Sequence, residues 1–380
     1  MREELQGGAA RRTLSATARL LAALKLDGAL LVGLGLVCCF ALFVQFSASG
    51  QSLQAVLRTL MRLALGVVVM LMLARSTPNF LKSLAPWLYA GGIVLLLVVF
   101  VLGHVGKGAQ RWLAFGPLLR FQPSEIMKLA VPMLAAWFMH ERPLPPDWRT
   151  LLILAGMILL PAVLVAAQPD LGTALLILAS GALVVLMAGV SLRIVAALGM
   201  SAVAAAFIGW RFLHLHEYQR QRVLTFLNPQ SDPLGSGYHI IQSQIAIGSG
   251  GLFGKGWMNG SQAQLDFLPE RSTDFIFAVI GEEFGLLGVI VLLGLYLFIV
   301  TRAVYLASQT NDTFSRLLAS SIALTFFVYI FINAGMACGL LPVVGVPLPL
   351  VSYGGSSMVT LLAGFGILMG LYSHRKLVGT

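Results

Sequence analysis

Charged residues are scarce in this sequence, at 11% of 380 residues, whereas soluble domains carry about 25%. Cysteine is scarce too: the three cysteines all lie inside apolar runs, and their spacing predicts neither a disulfide framework nor a cysteine metal site. Hydrophobic residues make up 58% of the chain and the mean hydropathy is +0.88. One apolar run after another approaches the ~20 residues that cross a bilayer. These features exclude an ordinary soluble protein and predict a polytopic membrane protein.

A basic stripe of the kind that binds nucleic acid is also missing. The formal net charge is +10, but the lysines and arginines are scattered between apolar segments without interleaved aromatic residues. We therefore expect no nucleic-acid partner. In a membrane protein such charge more commonly orients the helices and attracts anionic membrane lipids.

The apolar runs predict an all-α protein with ten transmembrane helices. These helices cover residues 28–46, 56–73, 87–102, 124–138, 151–167, 171–188, 194–212, 274–300, 317–340 and 356–372. A long link, 213–273, joins the seventh helix to the eighth. Its apolar segments and glycine runs favour amphipathic pieces that lie in the interface or fold back into the membrane over a soluble domain.

A single integral-membrane domain, 27–375, is expected between an N-terminal tail, 1–26, and a C-terminal tail, 376–380. A signal peptide is the alternative reading of the N-terminus. The first apolar run is longer than the ~7–15 residues of a signal core, however, which favours an uncleaved first helix.

The lysines and arginines predict the orientation of the helices. With the N-terminus in the cytoplasm, 14 of the 25 face inward, and the outward links 47–54, 168–170 and 341–353 contain none. Both tails are then cytoplasmic, as an even number of helices requires, and the long link is extracytoplasmic.

Eleven basic residues lie on the outward half against this rule. Cations in such places are candidates for function, and an anionic substrate head group at the outer leaflet would explain them. Snorkelling to lipid head groups explains Arg58 and Arg62 well enough. The other nine belong to two places: Lys107, Arg111, Arg120 and Lys128 around the start of the fourth helix, and Arg211, Arg220, Arg222, Lys255 and Arg271 in or beside the long link.

Asp274 is the strongest candidate for a catalytic residue. It stands at the lip of an apolar run and precedes Phe275. A carboxylate in that position is costly and calls for a function. Desolvation would make it a stronger base, whereas nearby Arg271 would counter that effect. We interpret Asp274 as a general base.

Four other carboxylates surround this candidate. Glu270 and Asp266 lie in the adjoining loop, where they either assist the base or are simply solvated. Glu282 lies roughly 12 Å deeper than Asp274 if the helix is continuous. For it and for Glu283, structural pairing or a polar inner cavity is a better reading than substrate contact.

Two charged motifs lie near the fourth helix, one at its start and one in the loop before it. Glu125 and Lys128 are three residues apart and share one helix face, so they form either a scaffolding ion pair of the site or a pair that only satisfies itself. Lys107 and Arg111 precede Trp112. The tryptophan suits a membrane anchor, but the outer position of the loop favours contact of these cations with phosphate.

Asp170 precedes the sixth helix, where capping of that helix is favoured over a direct substrate role.

Arg220 alternates with amide residues in a segment polar enough to be plain surface. The glycine run beside Lys255 could cradle an anion with its backbone N–H groups. Residues 342–358 are apolar but broken by prolines and a glycine pair, which predicts a re-entrant wall of the pocket with Ser352 and Tyr353 as polar contacts.

Seven motifs resemble the SEDS family of bacterial cell-wall polymerases, and within it the elongation members more than the division members. They are KGAQRWL, FQPSEIMKLAVP, AAQPDLGT, YQRQRV, SDPLGSGYHIIQSQIAIGSGGLFGKGW, LPERSTDFIFAVIGEEFG and PVVGVPLPLVSYGG. The resemblance implies ten helices and peptidoglycan glycosyltransferase activity on lipid II at the outer face of the inner membrane. It also implies a complex with a class B penicillin-binding protein, the transpeptidase. The family's essential aspartate falls on Asp274, and its buried acid–base pair on Glu125 and Lys128.

The expected reaction is attack of a GlcNAc 4-hydroxyl on a MurNAc that carries undecaprenyl diphosphate. Asp274 would take the hydroxyl proton, and a single displacement would invert the anomeric centre. The expected substrate-contacting residues are Lys107, Arg111, Glu125, Lys128, Asp170, Arg220, Lys255, Glu270, Arg271 and Ser352. A divalent cation such as Mg²⁺ could share the diphosphate, although no cluster of acidic ligands demands one.

Two rival functions fit parts of the sequence. A lipid II flippase would use broken helices and intramembrane carboxylates, but the conspicuous polar residues lie mostly at one face, whereas a transporter needs a midplane site. A scaffold that only recruits the transpeptidase leaves the outward cations unexplained.

Overall fold

Helices dominate the computed structural model, which describes residues 25–106, 109–115, 119–194, 196–197, 199–200, 225, 228, 235–265, 267–268 and 270–374. The helices are α1 Gly28–Ala48, α2 Leu53–Ala74, α3 Pro78–Leu102, α4 Pro123–Met139, α5 Trp148–Ala167, α6 Leu171–Met187, α7 Ser236–Gly250, α8 Ser261–Gln264, α9 Ile276–Ser308, α10 Thr313–Ala337 and α11 Gly355–Ser373. Within the described part, seven of them (α1, α2, α3, α5, α9, α10 and α11) are long and apolar enough to cross a bilayer. The chain is therefore a multi-pass integral membrane protein, as predicted.

Nine of the ten predicted spans coincide with α1–α6 and α9–α11. The seventh predicted span, 194–212, lies almost entirely outside the described residues, as do the N-terminal tail before Lys25 and most of 201–234. In the described part of the long link, α7 packs along α9. That pieces of the link lie in the interface or fold back into the membrane stays a prediction.

Short polar side chains begin several of the long helices. Asp27 Oδ1 accepts from the Leu30 amide (2.8 Å) and Ser52 Oγ from the Ala55 amide (3.3 Å). These caps satisfy first-turn amides that have no partner within the helix and that would be costly to leave bare near a membrane.

Close helix packing depends on glycine at the α2–α11 contact. A Cβ on Gly366 would lie 2.4 Å from the carbonyl oxygen of Met70, and one on Gly66 would lie 2.6 Å from the side chain of Leu362. Small residues at such positions let two membrane helices approach until their backbones touch. Helix α10 occupies the middle of the bundle, where it contacts α4, α6, α9 and α11.

The segment between α3 and α4 forms a short antiparallel ribbon that the all-α prediction did not include. Its strands are β1 His104–Gly106, β2 Ala109–Phe115 and β3 Leu119–Phe121, in the order β1-β2-β3. Leu113 pairs with Phe121 in the second hairpin. The ribbon carries Arg111 over the link between α5 and α6.

Helix α9 is broken at Gly285, where φ is +64°. The break leaves backbone groups without helical partners, and residues 250–256 supply them. Lys255 N and Gly256 N donate to the carbonyls of Glu282 and Glu283 (both 3.0 Å), while Leu286 N donates to that of Gly251 (3.0 Å). We call residues 250–256 the glycine clamp. Its glycines are required because a Cβ on Gly254 would lie 2.2 Å from the Glu283 oxygen.

One end of the bundle joins the two ends of the described chain. The Lys25 amine lies 2.7 Å from the ring of His374. Beside it, Arg302 near the end of α9 forms two hydrogen bonds to Asp27 at the start of α1 (3.0 and 2.6 Å). The segments that hold the candidate site lie at the other end of α1 and α9.

Candidate active site

Asp274 lies in a turn that ends where α9 begins, and it is half-buried while the residues after it are buried. The turn is closed by the Thr273 and Phe275 amides, which donate to the Glu270 carbonyl (3.0 and 3.3 Å). Thr273 Oγ1 also donates to Glu270 Oε2 (2.8 Å). Glu270 therefore shapes the turn that carries Asp274, while its side chain stays exposed.

The proline-broken segment 338–354 runs without helix between α10 and α11, and its middle is buried, while its role as a re-entrant wall of the pocket stays a prediction. We call it the re-entrant segment. A Cβ on Gly345 would lie 3.5 Å from Asp274 Oδ2, so this backbone passes directly beside the carboxylate. On its other side, a Cβ on Gly172 would lie 2.4 Å from the Val344 oxygen. The re-entrant segment thus separates Asp274 from the start of α6.

Ser352 lies in this segment and is almost fully buried. Its hydroxyl donates to the Thr273 carbonyl (2.5 Å) and accepts from the Leu348 amide (2.7 Å). Because the single hydroxyl proton is used by Thr273, Ser352 has none to donate to a substrate. Its hydroxyl contacts are with the turn of Asp274 and with its own segment.

Two buried amides in contact with the same turn were missed in the sequence. Gln45, near the end of α1, donates to the Ser272 carbonyl (3.1 Å), and Asn333, on α10, donates to the Asp274 carbonyl (2.9 Å). A polar residue inside a strongly apolar run was the only local signal that could have marked either of them.

Arg111 lies over the link between α5 and α6. Its guanidinium donates to the carbonyls of Gln168 (3.1 Å) and Pro169. Part of its hydrogen-bonding capacity therefore holds the link, and contact with phosphate stays a prediction.

Asp170 caps α6, as favoured from the sequence, by accepting from the Thr173 amide (3.2 Å). Its second oxygen accepts from Gln122 Nε2 (2.7 Å).

Glu125 and Lys128 form the predicted ion pair on α4, with 2.6 Å between Oε1 and Nζ, and both side chains are buried. The lysine amine also lies 5.1 Å from the ring centre of Tyr329 on α10. Glu125 Oε2 accepts no hydrogen bond from the described residues. The pair links α4 to α10 one turn before Asn333, and its role as a scaffold of the site stays a prediction.

Lys255 forms an ion pair with the fully buried Glu282 (2.7 Å). The same carboxylate accepts from the amides of Gln262 (2.9 Å) and Ala263 (3.3 Å), so it caps α8 from outside. The Lys255 and Gly256 amides donate to carbonyls of α9, so two N–H groups of the glycine run are already used, and the anion cradle in this run stays a prediction. Glu283 is also paired, as favoured from the sequence: it accepts from the hydroxyl of Ser47.

The other cations fall in several places. A Cβ on Gly50 would lie 3.5 Å from the Arg271 guanidinium, so Arg271 reaches the link between α1 and α2. Arg62 stacks on the Tyr353 ring at 4.3 Å, which is a protein contact beyond the predicted snorkelling. Lys107, Arg220 and Asp266 lie outside the described residues, and their predicted positions are untested.

No metal centre is formed by the described residues, among which no three His, Cys, Asp or Glu side chains converge. A divalent cation held through the diphosphate of a substrate stays a prediction.

A family model described as "Cell cycle protein", which groups FtsW, RodA and SpoVE, matches residues 22–377. The chain belongs to this family. Peptidoglycan glycosyltransferase MrdB of Escherichia coli (strain K12) is 50% identical over 356 residues, which cover 93% of this chain and 95% of that protein. The predicted family resemblance is confirmed.

Two solved structures of similar proteins share the fold of this family member. A chain from a structure described as "Structural coordination of polymerization and crosslinking by a peptidoglycan synthase complex" aligns with a TM-score of 0.80 and 35% identity, covering 92% of this chain and 98% of that one. The rod shape determining protein RodA of Thermus thermophilus aligns with a TM-score of 0.70 and 30% identity, covering 92% and 97%. The bundle described above is therefore a RodA-like membrane fold.

Proposed function

We propose that this chain polymerises lipid II into glycan strands at the periplasmic face of the bacterial inner membrane during cell elongation. The enzyme class predicted from the sequence, a peptidoglycan glycosyltransferase, agrees with the name of a relative that is 50% identical over nearly the whole chain. The observation that carries the finer proposal is the placement of Asp274. It is a half-buried carboxylate at the mouth of an apolar bundle, on a turn that three other parts of the chain hold in place.

In the proposed reaction Asp274 acts as the general base. It accepts the proton of a GlcNAc 4-hydroxyl while that oxygen forms a bond to the anomeric carbon of MurNAc. The bond from this carbon to the diphosphate oxygen breaks, and its electron pair leaves with undecaprenyl diphosphate. Lys107, Arg111 and Arg220 balance the charge on the leaving group. One base without a nucleophilic partner gives a single displacement with inversion.

The topology proposed for this reaction has ten spans with both tails in the cytoplasm. The contact between Lys25 and His374 supports it, because the two ends of the described chain lie at the same end of the bundle. The turn of Asp274 lies at the opposite end and faces the periplasm in this arrangement.

The proposed partner is a class B penicillin-binding protein that cross-links the new strand. A solved relative's structure is described in terms of polymerisation and crosslinking by a peptidoglycan synthase complex. Polymerisation and cross-linking act on the same glycan strand, so a complex would bring the strand made by the polymerase to the active site of the transpeptidase.

The rival function, lipid II flipping, drew on the intramembrane carboxylates Glu282 and Glu283. In the structure Glu282 is paired with Lys255 and caps α8, while Glu283 accepts from Ser47. Both serve packing between α9 and its neighbours, which leaves the polymerase as the better-supported function.

Asp274→Ala is the variant that tests the proposal. Purified enzyme with lipid II should give glycan strands, and Asp274→Ala should give none while it melts at the wild-type temperature. Asp147→Ala is the matched control, since it removes an exposed aspartate that caps α5 and should cost only about 1 kcal/mol of stability. Wild-type polymer from Asp274→Ala would exclude it as the base, and lipid II transport without polymer would favour the flippase.

A further inference from the structure

Three successive carbonyls, those of residues 272–274, are each held by a side chain from another part of the chain. Gln45 Nε2 donates to the first (3.1 Å), Ser352 Oγ to the second (2.5 Å) and Asn333 Nδ2 to the third (2.9 Å). We call these three side chains the tethers. They come from α1, the re-entrant segment and α10, so the turn of Asp274 is fixed from three sides.

Each tether also bonds to the re-entrant segment. The Gln45 amide donates to the Val351 carbonyl (2.7 Å) and the Asn333 amide to the Val346 carbonyl (2.7 Å). The Ser352 hydroxyl accepts from the Leu348 amide (2.7 Å). The tethers therefore join residues 272–274 to the re-entrant backbone through side-chain hydrogen bonds, beside one direct backbone hydrogen bond from the Tyr353 amide to the Ser272 carbonyl (2.8 Å).

The two amide tethers carry a cost that packing alone would not require. Gln45 and Asn333 are buried, at 1% and 0% exposure. Within the described residues, Gln45 Oε1 and Asn333 Oδ1 accept no hydrogen bond. A buried unsatisfied acceptor is unfavourable, and an apolar side chain would avoid it. What the amides provide, and apolar side chains cannot, is two N–H donors directed at two chosen carbonyls.

We propose that Gln45 and Asn333 are positioning residues for Asp274. The inference rests on the proposed function, in which Asp274 is the general base. By fixing the carbonyls on either side of Thr273, the two amides set the backbone direction at Asp274 and therefore the direction of its carboxylate. A base must lie within hydrogen-bond reach of the proton that it removes, so a small rotation of this turn lowers the rate without removing any group that binds substrate.

The test compares Gln45→Ala and Asn333→Ala with Ser321→Ala as the matched control. Ser321 also lies on α10, is fully buried, and donates across helices to the Ser180 carbonyl (2.8 Å), but it does not contact the turn. Purified variants are assayed with lipid II for kcat and KM, and their melting temperatures are recorded. We expect kcat to fall on the order of 10- to 100-fold in both amide variants, with KM within about 2-fold of wild type. Ser321→Ala should show a similar loss of melting temperature at wild-type kcat.

Asp274→Ala in the same assay separates the possible failures. If Asp274→Ala is inactive while both amide variants keep wild-type kcat, the positioning role is wrong and the base stands. If Asp274→Ala is active, the proposed function and the positioning role both fail. A loss of kcat that Ser321→Ala shares at equal loss of melting temperature would also overturn the inference, because the effect would then belong to the bundle and not to the turn.

Discussion

Asp274 shows how much a single residue can reveal in a membrane protein. Its position at the edge of an apolar run was visible in the sequence, and the structure places it at the matching edge of burial, one residue before a buried phenylalanine. The capping of α6 by Asp170 and the pairing of Glu125 with Lys128 were equally local, since each joins residues three positions apart. Such contacts are set by helix geometry and can be predicted without tertiary information.

The ion pair on α4 gives a prediction about stability at the residue scale. Lys128→Met keeps most of the side-chain volume but leaves Glu125 as an unpaired buried carboxylate, and it should cost about 3–5 kcal/mol. The double variant Lys128→Met with Glu125→Gln removes both charges and should recover much of that loss. Thermal unfolding of the three proteins checks this. Equal melting temperatures for wild type and Lys128→Met would mean that the pair contributes nothing to the fold.

Helix α9 and the glycine clamp show a device that appears only at the scale of elements. The break at Gly285 frees carbonyls and amides in an apolar helix of a membrane protein, where such groups must find partners within the protein. The backbone amides and carbonyls of the glycine clamp form hydrogen bonds with these groups. The glycine run therefore serves the close approach of two backbones, a role that its sequence did not reveal.

Gly285→Ala tests the clamp. A Cβ at this position would lie 2.3 Å from the Gly254 amide nitrogen at a φ of +64°, so the substitution should cost at least about 1–3 kcal/mol and lower the melting temperature. Gly294→Ala is the matched control on the same helix. Nothing lies within 4 Å of its Cβ, and it should leave stability unchanged or raise it by up to ~1 kcal/mol. If the glycine clamp has no role in stability, Gly285→Ala and Gly294→Ala should have the same melting temperature.

The whole molecule has two polar ends with different tasks. One end carries the turn of Asp274. The other carries Lys25 with His374, Lys82 with Asp312 (3.1 Å), and Arg302 with Asp27. These contacts join the beginnings and ends of five long helices, α1, α3, α9, α10 and α11, at the end of the bundle away from Asp274. We expect changes there to affect stability and leave the reaction intact.

Asp27→Asn tests that expectation through pH. Burial alone would raise the pKa of the Asp27 carboxyl. The hydrogen bonds from Arg302 and from the Leu30 amide lower this pKa, and their combined effect is larger than that of burial, so the pKa lies below its ordinary value. A depressed pKa stabilises the fold above the unfolded value of about 3.9, and this contribution is lost as the pH falls through the folded pKa. Asparagine still caps α1, so only the charge is removed.

We therefore expect Asp27→Asn to lower stability by on the order of 1 kcal/mol at neutral pH. The difference from wild type should stay constant above about pH 5 and close below about pH 4. Melting temperatures recorded across this range, together with kcat at neutral pH, provide the check. A difference that persists at low pH, or a lower kcat, would contradict the assignment.

The sequence by itself determined the class of protein and the places of nine of the described helices, α1–α6 and α9–α11, and it singled out Asp274 as the candidate base. The length of a hydrophobic run, a helix cap and a pair of charges three residues apart are local properties. In a bilayer they suffice to predict where a helix lies. Only the tertiary structure decided which backbone groups Gln45, Asn333 and the glycine clamp would satisfy. Gln45 and Val351 are 306 positions apart, and no local pattern specifies that an amide in one helix must meet a carbonyl so distant in the chain. Such pairings follow from how the helices pack, since every buried polar group left by a broken helix or a re-entrant turn must be satisfied by whatever the fold brings beside it.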